Sequence, residues 1–410
     1  MNGPLWTKER CAELDAGDAL AFVRERFFVP EGLLYLDGNS LGALPRAVPE
    51  RMRRVLENEW GESLVRGWDN WITLPSEVGD KIARLIGAGE GEVIVIDTVT
   101  IALGKLLGAA LSLRPDRKVI LTTASNFPTD LYAADGVARL AGAEVRRVQP
   151  GEIVEALDDS VGVLMLTHVD FRTGEMLDMA AVTAAAHAAG AVTIWDLCHS
   201  VGAVPVDCEG AGVDLAVGCT YKYLNAGPGS PAFVYVRREL QDKVENPLPG
   251  WLGHSEPFAF SGSYVPAPGV RRFVTSSPSI LGINALDAAL QAWEGVTIAQ
   301  VRAKSVALSE MFVEAVAERT GGELELASPV DPARRGSQIA LRHDHAYGII
   351  QALIARRVIG DFRAPDVCRF GFTPLYLRFV DVLDAVEHLA EVVTSKEFLD
   401  SRYSDRRLVT

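Results

Sequence analysis

The sequence has little of what marks a secreted, metal-binding or membrane-embedded protein. Its 410 residues contain five cysteines, an odd number with no C-x-x-C pair, which argues against a disulfide framework and a structural zinc site. No apolar run reaches the roughly 18 residues that a membrane span needs, and the first residues contain no apolar segment of a signal peptide. We therefore expect a cytoplasmic protein with reduced thiols, no metal site and no membrane partner.

Positive charge is also scarce. Lysine and arginine together number 40, against 54 aspartates and glutamates, which gives a formal net charge of -14. Because a surface with excess negative charge repels phosphate backbones, we predict no nucleic-acid partner.

The sequence does contain enough apolar residues, 48%, for a large core in two or three domains. Short apolar runs alternate with helical segments, which is typical of an α/β fold with a mostly parallel sheet. We predict strands of this sheet at residues 93–96, 144–148, 161–168, 191–195, 213–217 and 231–236, and one more at the start of the segment 118–142, before a turn and a helix. Helices are predicted up to about residue 29 and over 46–71. A smaller C-terminal domain is predicted to contain strands 324–327, 338–342 and 367–372 and helices 347–357 and 382–394.

Two neighbouring predicted strands end in reactive polar residues. Asp196 and His199 follow one of them, and Tyr221 and Lys222 follow the next. Because the carboxyl ends of strands in an open α/β sheet face the ligand crevice, Asp196 and Lys222 are expected to converge. A partly desolvated lysine amine can form a Schiff base with an aldehyde, and a nearby carboxylate can keep a pyridinium nitrogen protonated. The pair indicates pyridoxal phosphate; the alternative, a solvated lysine and a capping aspartate, is disfavoured because both residues follow buried strands.

Segments in all three thirds of the chain resemble the kynureninase family, pyridoxal-phosphate hydrolases of the class V aminotransferase group. The segments are YLDGNSLG (35–42), FPTD (127–130), DLCHSVGAVPVD (196–207), CTYKYLNAGPG (219–229) and VCRFGFTPLY (367–376). The resemblance implies an aspartate-aminotransferase-like fold (fold type I), with a large domain on a mostly parallel seven-stranded sheet and a smaller α+β C-terminal domain. Strand 231–236 would be antiparallel. The implied division is an N-terminal segment 1–45 that packs with the small domain, a large cofactor-binding domain 46–293 and a small domain 294–410.

The resemblance also implies the site residues. The cofactor would be bound by Asp97, Thr98, Phe127, Asp130, Asp196, His199, Tyr221, Lys222, Trp251 and Ser277, with Trp251 and Ser277 serving the neighbouring subunit of a homodimer. The substrate would be bound by Arg369, Trp68, Asn39 and Ser276. Lys222, Tyr221 and Asp196 would be catalytic, with the cofactor held as a Schiff base on Lys222 and Tyr221 as the proton donor.

Several of these residues have a plainer alternative role. Asp97 and Thr98 follow a strand and open a helix, so they can bind phosphate or simply cap the helix. Arg369, in an apolar strand, can hold the substrate carboxylate or form an internal ion pair. Trp68 can contact a substrate ring or pack in the core. Tyr221 can act as an acid or only bind phosphate. His168, at another strand end, is more often a satisfied structural residue.

The implied activity is hydrolysis of L-kynurenine to anthranilate and L-alanine by cleavage of the Cβ–Cγ bond, in tryptophan catabolism and NAD biosynthesis. Trp68, Ser276 and Ser277 resemble the bacterial members and predict a preference for kynurenine over 3-hydroxykynurenine. One alternative is another class V enzyme, a cysteine desulfurase or an aminotransferase, but no cysteine matches a mobile-loop nucleophile. The other alternative, a non-catalytic scaffold, predicts loss of residues such as Lys222 that are present.

Overall fold

A computed structural model describes residues 4–405, and one seven-stranded sheet organises its larger part. The strands are β1 (Phe27–Phe28), β2 (Leu34–Tyr35), β3 (Leu44–Pro45), β4 (Val93–Ile96), β5 (Val119–Thr123), β6 (Glu144–Val148), β7 (Val161–Thr167), β8 (Val192–Asp196), β9 (Leu215–Gly218), β10 (Ala232–Val236), β11 (Glu325–Leu326), β12 (Gln338–Arg342), β13 (Val358–Ile359), β14 (Asp361–Arg363) and β15 (Val367–Gly371). The α-helices are α1 (Lys8–Ala16), α2 (Ala47–Arg54), α3 (Trp68–Trp71), α4 (Leu74–Ala83), α5 (Val99–Ser112), α6 (Pro128–Ala141), α7 (Met179–Ala188), α8 (Ile280–Leu290), α9 (Ile298–Thr320), α10 (Ala346–Ala355) and α11 (Phe379–Thr394).

The large sheet has the order β4-β10-β9-β8-β7-β5-β6. β10 runs antiparallel to both of its neighbours, β4 and β9, and the other pairs are parallel. Every residue of β4, β5, β8, β9 and β10 is buried, which explains why these strands are apolar on both faces. The sheet, together with a smaller C-terminal domain, confirms the predicted α/β fold class.

The C-terminal part is built on an antiparallel sheet of order β11-β12-β15-β14. The beginning of the chain reaches this part: β2 pairs in parallel with β13, and α1 packs against α11. The outer ends of the proposed N-terminal segment and small domain, residues 1–3 and 406–410, lie outside the described residues. Among the described helices, none combines the length and apolar character that a membrane span requires.

Two predicted helices were wrong in extent. The first ends at Ala16 with Gly17 as its C-cap, and a 3-10 turn over Ala21–Arg26 follows. The chain turns there because an Asp18 carboxylate oxygen accepts the Leu20 N–H at 2.9 Å, so the apolar residues that suggested one helix belong to two elements.

The predicted helix over 46–71 is likewise interrupted. It consists of α2, a π-helical stretch Val55–Glu62, a 3-10 turn Leu64–Gly67 and α3. Gly67 belongs to the break because the Trp71 ring lies against it, 2.5 Å from where its Cβ would be. A side chain at position 67 would therefore not fit this packing.

Candidate functional site

A cavity of about 310 Å³ lies at the carboxyl ends of β4, β5, β7, β8 and β9. The turns after these parallel strands meet there because the strands point the same way and their ends share one edge. Seven of the ten predicted cofactor-binding residues line the cavity: Thr98, Phe127, Asp130, Asp196, His199, Tyr221 and Lys222.

The Lys222 amine is held by His199. Lys222 Nζ lies 2.9 Å from His199 Nε2. Burial, followed by the positive charge of Lys222, lowers the pKa of His199 well below its ordinary value. The imidazole is therefore neutral at pH 7, and its Nε2 accepts a hydrogen bond from the lysine.

Two carboxyl groups, those of Asp196 and Asp130, lie together in the cavity wall. Asp196 is the last residue of β8 and accepts the Cys198 N–H at 2.7 Å, and Asp130 lies in the first turn of α6. Burial and then the negative charge of Asp196 raise the pKa of Asp130 well above its ordinary value. Because two adjacent buried carboxyls disfavour each other's ionisation, Asp130 binds its proton more tightly than an ordinary aspartate does.

The N-terminus of α5 opens on the same cavity through Thr98, Val99 and Thr100. Thr98 is the N-cap in extended conformation, but its side chain makes no capping hydrogen bond. An uncapped first turn leaves backbone N–H groups available to an anion. Asp97 differs from expectation: it does not line the cavity, and its carboxylate pairs with Lys105 Nζ at 2.5 Å.

Phe127 supplies the aromatic face of the cavity. Its side chain is 40% exposed, and its ring meets the Phe171 ring edge-on with centroids 5.1 Å apart. These groups match the parts of pyridoxal phosphate: the amine suits its aldehyde, the buried carboxyl pair its ring nitrogen, the uncapped helix its phosphate, and the exposed ring its flat face.

The N-terminal segment contacts the lysine turn directly. Gly42 donates its N–H to the Tyr221 carbonyl at 2.8 Å, and Asn225 Nδ2 donates to the Ala43 carbonyl at 3.1 Å. A Cβ at Gly42 would lie 2.3 Å from the Lys222 carbonyl oxygen. The chain near residue 42 can approach the lysine this closely because glycine has no side chain.

The guanidinium group of Arg369 is buried and hydrogen-bonded to partners within the protein. It is 1% exposed and pairs with Asp361 through both Nε, at 2.8 Å, and Nη2. Nη2 also donates to the Ser40 hydroxyl at 2.9 Å, and Nη1 donates to the Phe171 carbonyl at 2.5 Å. The expectation of a guanidinium free for a substrate is therefore not met, and the structure shows the internal ion pair.

Arg363 shares Asp361 with Arg369 but remains more open. Its Nη2 lies 2.6 Å from Asp361 Oδ2 and its side chain is 35% exposed. The buried Nε of Arg363 has no hydrogen-bond partner among residues 4–405. Two arginines and one aspartate leave a net positive charge at this point.

Asp37 lies near this cluster, and its carboxyl Oδ1 is buried without a partner in the described part of the chain. Burial and then the negative charge of Asp361 raise the pKa of Asp37 to about 7. Because the folded protein holds this proton more tightly than the unfolded chain, the free energy of unfolding falls as the pH rises from about 4 to about 7.

Replacing Asp37 with asparagine should therefore raise stability at pH 8 by about 2 to 4 kcal/mol, with little change at pH 4. Urea unfolding of both proteins at pH 4, 6 and 8 measures the difference. The exposed Asp116→Asn variant is the control and should show no such trend. A destabilised D37N at pH 8 would contradict the buried, proton-binding carboxyl.

Five other predicted residues do not line the cavity in this chain. Asn39 is fully buried and donates to Gln338 Oε1 at 3.3 Å. Trp68 packs edge-on against Trp71 at 6.0 Å, and Trp251 packs against Phe258 at 5.8 Å. The others are Ser276 and Ser277. Trp68 shares a small cleft with Leu252 and Pro278, so the tryptophan helix lies against the segment that contains Trp251 and Ser277.

Sequence reasoning missed Lys105, Asp361 and Arg363. Lys105 is the only charged residue in α5 and is 1% exposed; a lone charge in an apolar helix was the signal. Asp361 lies opposite Arg369 in the β14–β15 register, which no local pattern indicates.

The remaining polar candidates have structural roles. His168 pairs with the Ser200 hydroxyl at 2.9 Å, and burial lowers its pKa to about 4. All five cysteines lie within residues 4–405, are buried and are unpaired. None of them is the exposed nucleophile that a desulfurase needs.

Comparison with known proteins adds independent findings. Residues 301–389 match the family model described as the kynureninase C-terminal domain. A kynureninase from Pseudomonas fluorescens is 47% identical, with 98% of this chain and 100% of the relative covered. A kynureninase from Deinococcus radiodurans is 50% identical, with 94% of this chain and 96% of the relative covered. Among solved structures, the apo cysteine desulfurase from Thermococcus onnurineus NA1 has a TM-score of 0.78, covers 92% of this chain and 98% of its own, and is 18% identical, which shows the fold alone.

Proposed function

The chain belongs to the kynureninase family, and from this premise we propose how its residues carry out the reaction. It is a hydrolase that converts L-kynurenine and water to anthranilate and L-alanine, with pyridoxal phosphate as cofactor. When bound, pyridoxal phosphate supplies an aldehyde that condenses with amines and a pyridinium ring that accepts electron density. The observation that supports the assignment best is the Lys222 amine 2.9 Å from a neutral His199 in a cavity with paired carboxyls.

Lys222 holds the cofactor and then acts as the base. Its amine, kept in place by His199 Nε2, takes the proton from the substrate Cα. Asp196, with Asp130 beside it, would accept the N–H of the ring nitrogen and so keep that nitrogen protonated. Thr98 and the first turn of α5 hold the phosphate.

Tyr221 is the proposed proton donor. After water adds to the γ-carbonyl carbon, the Cβ–Cγ bond breaks, the aryl acid leaves and Cβ requires a proton. Burial raises the pKa of Tyr221 above its ordinary value, so its hydroxyl keeps its proton at neutral pH. Its ring centroid lies 5.8 Å from Lys222 Nζ, next to the reacting atoms.

The arginine cluster is the proposed site for the substrate α-carboxylate. Asp361 neutralises one of the two charges of Arg369 and Arg363, and Asp37 adds little negative charge while it is protonated. Arg369 then contributes mainly by its charge and fixed position, and Arg363 offers the open guanidinium. Asn39 precedes Ser40, which accepts a hydrogen bond from Arg369, and is proposed to shape the wall of this site.

We propose a homodimer in which each cavity is completed by the partner. The proposed partner-facing surface contains Trp68, Trp251, Ser276 and Ser277. None of them lines the cavity of its own chain, and Trp68 shares a cleft with Leu252 and Pro278, which adjoin Trp251 and Ser277 in sequence. The exposed aromatic rings Phe258 and Phe260, 63% and 74% exposed, flank Trp251 on that surface, as expected of a face that a partner covers.

A mixed-subunit experiment tests the shared site. Lys222→Ala and Trp251→Ala/Ser277→Ala homodimers should each be nearly inactive. Unfolding and refolding them together should restore activity, because one site of each mixed dimer then has all its native residues. Mixing Lys222→Ala with Lys222→Met is the control and should restore none. Equal activity in both mixtures would exclude a shared site.

The preference for kynurenine over 3-hydroxykynurenine is also proposed. The Trp68 side chain is a largely apolar indole with a single polar N–H group, so it offers a ring hydroxyl little compensation for lost hydration. We expect a kcat/KM for kynurenine at least about tenfold that for 3-hydroxykynurenine. Steady-state rates with both substrates measure this ratio, and a value below one would contradict the proposal.

The reaction itself is tested by incubating the purified enzyme with pyridoxal phosphate and L-kynurenine and following anthranilate fluorescence. Formation of anthranilate and L-alanine in equal amounts is expected. Enzyme that binds the cofactor but releases no anthranilate would refute the assignment.

Three further properties are proposed with this activity. The five unpaired cysteines suit a cytoplasmic location. The other two are a role in NAD biosynthesis and a division of the chain into domains at residues 45 and 293.

A further inference from the structure

The cofactor-binding proposal leaves one buried charge unexplained. Lys105 lies on α5, 1% exposed, in a helix whose other residues are uncharged. Its Nζ donates to Asp97 Oδ2 at 2.5 Å and to the Phe273 carbonyl at 2.9 Å. Burying an ammonium group is costly and is often no more stable than an apolar replacement, so stability alone does not explain its presence.

Asp97, the partner of Lys105, has an unusual backbone. Its φ is 46°, in the left-handed region that residues other than glycine rarely adopt. The residue stands directly before Thr98, the uncapped N-cap of α5. Such a conformation persists where surrounding contacts hold it, often at functional sites. The ion pair with Lys105 and the hydrogen bond from the Ala232 N–H to the Asp97 carbonyl, at 2.9 Å, are the contacts that hold it.

The charge of Asp97 conflicts with the expected ligand. A carboxylate one residue before an anion-binding helix terminus repels a phosphate dianion, because like charges in a partly buried site are poorly screened. The Lys105 ammonium cancels that charge and turns the carboxylate towards itself.

We propose that Lys105 is a positioning residue for the cofactor phosphate, acting through Asp97. It neutralises the Asp97 carboxylate and fixes the 97–98 turn so that the first N–H groups of α5 face the phosphate. This inference rests on the proposed binding of the phosphate at Thr98. Through Phe273, the same ammonium holds the turn Gly269–Phe273, which leads to Ser276 and Ser277, the residues proposed to reach the partner.

Binding of three ligands to the apoprotein tests the proposal without turnover. Pyridoxal phosphate, inorganic phosphate and pyridoxal, which lacks the phosphate, are titrated into wild type, Lys105→Met and Lys118→Met. Lys118 is exposed, so its variant removes the same charge at the surface. We expect Lys105→Met to weaken both phosphate-bearing ligands by roughly tenfold or more and pyridoxal by less than about threefold. Lys118→Met should match wild type.

A second pair of variants separates charge cancellation from general packing. Asp97→Asn/Lys105→Met removes both charges and should bind phosphate within about threefold of wild type, since asparagine also tolerates a positive φ. Asp97→Asn alone should bind phosphate at least as tightly as wild type. Three results would overturn the proposal. Lys105→Met could bind phosphate as tightly as wild type, it could weaken pyridoxal as much as the phosphate-bearing ligands, or the double variant could bind phosphate as weakly as Lys105→Met.

These outcomes are distinguishable from failure of the proposed function. Wild-type enzyme that forms no anthranilate bears on the reaction and leaves the binding comparison intact. If Lys105→Met does not fold, as judged by circular dichroism and thermal unfolding, Asp97→Asn still decides: phosphate binding weaker than wild type would mean that the Asp97 carboxylate helps the anion, against the proposal.

Discussion

Replacing Lys222 with alanine is expected to lower kcat for L-kynurenine by at least about a thousandfold. The variant loses both the amine that holds the cofactor and the base that moves the Cα proton, and one positioned acid–base group alone is worth roughly a hundred- to ten-thousandfold. The rate of anthranilate formation under saturating pyridoxal phosphate measures the loss.

The same experiment identifies the lysine. Borohydride reduction of the wild-type holoenzyme followed by peptide mass spectrometry should place the reduced cofactor on Lys222, and the Lys222→Ala protein should carry none. The control is Lys118→Ala, because Lys118 is exposed and distant in sequence from Lys222. This variant should keep wild-type activity and labelling. A label on another lysine would refute the mechanism.

Of the substitutions proposed for this protein, Asp361→Asn should cause the largest decrease in the free energy of unfolding. Asp361 is 2% exposed and compensates two guanidinium groups, those of Arg369 and Arg363. Removing one partner of a buried pair leaves uncompensated charge inside the protein and typically costs about 3 to 5 kcal/mol. Urea unfolding of the apoprotein at pH 7.5 measures the difference.

The matched control is Glu325→Gln, which breaks an exposed pair with Arg342, 3.1 Å apart and 70% and 44% exposed. Exposed pairs contribute about 1 kcal/mol or less, so this variant should stay close to wild type. A D361N protein less than about 1 kcal/mol below wild type would mean that water, not Asp361, compensates the arginines.

Strands β4, β5, β8, β9 and β10 could be predicted because each is a buried and largely apolar run, and burial on both faces gives a signal that needs no partner. The predicted 144–148 and 338–342 match β6 and β12 residue for residue. Asp196 and Lys222 could be placed together for the same reason, since the ends of adjacent parallel strands lie at one edge.

Side-chain direction and non-local pairing could not be predicted. The direction of the Asp97 side chain towards Lys105 depends on one backbone angle. The ion pair between Arg369 and Asp361 depends on the register of β14, a three-residue strand that is too short and polar to be recognised in the sequence. The first helix was overextended because apolar spacing continues past Gly17, where the chain turns. For Trp251 and Ser277 the expected ligand belongs to another copy of the chain, and no pattern within one sequence fixes that geometry.

The cavity wall depends on widely separated parts of the chain. Gly42 contacts the turn that contains Lys222, and Arg369 donates a hydrogen bond to the Phe171 carbonyl. During translation, Lys222 leaves the ribosome roughly 150 residues before Arg369, a delay of about 7 to 30 s at ordinary synthesis rates. The vitamin-derived coenzyme thus meets a finished binding pocket only after Arg369 has been synthesised, so cofactor loading follows the folding of the antiparallel sheet that contains β15.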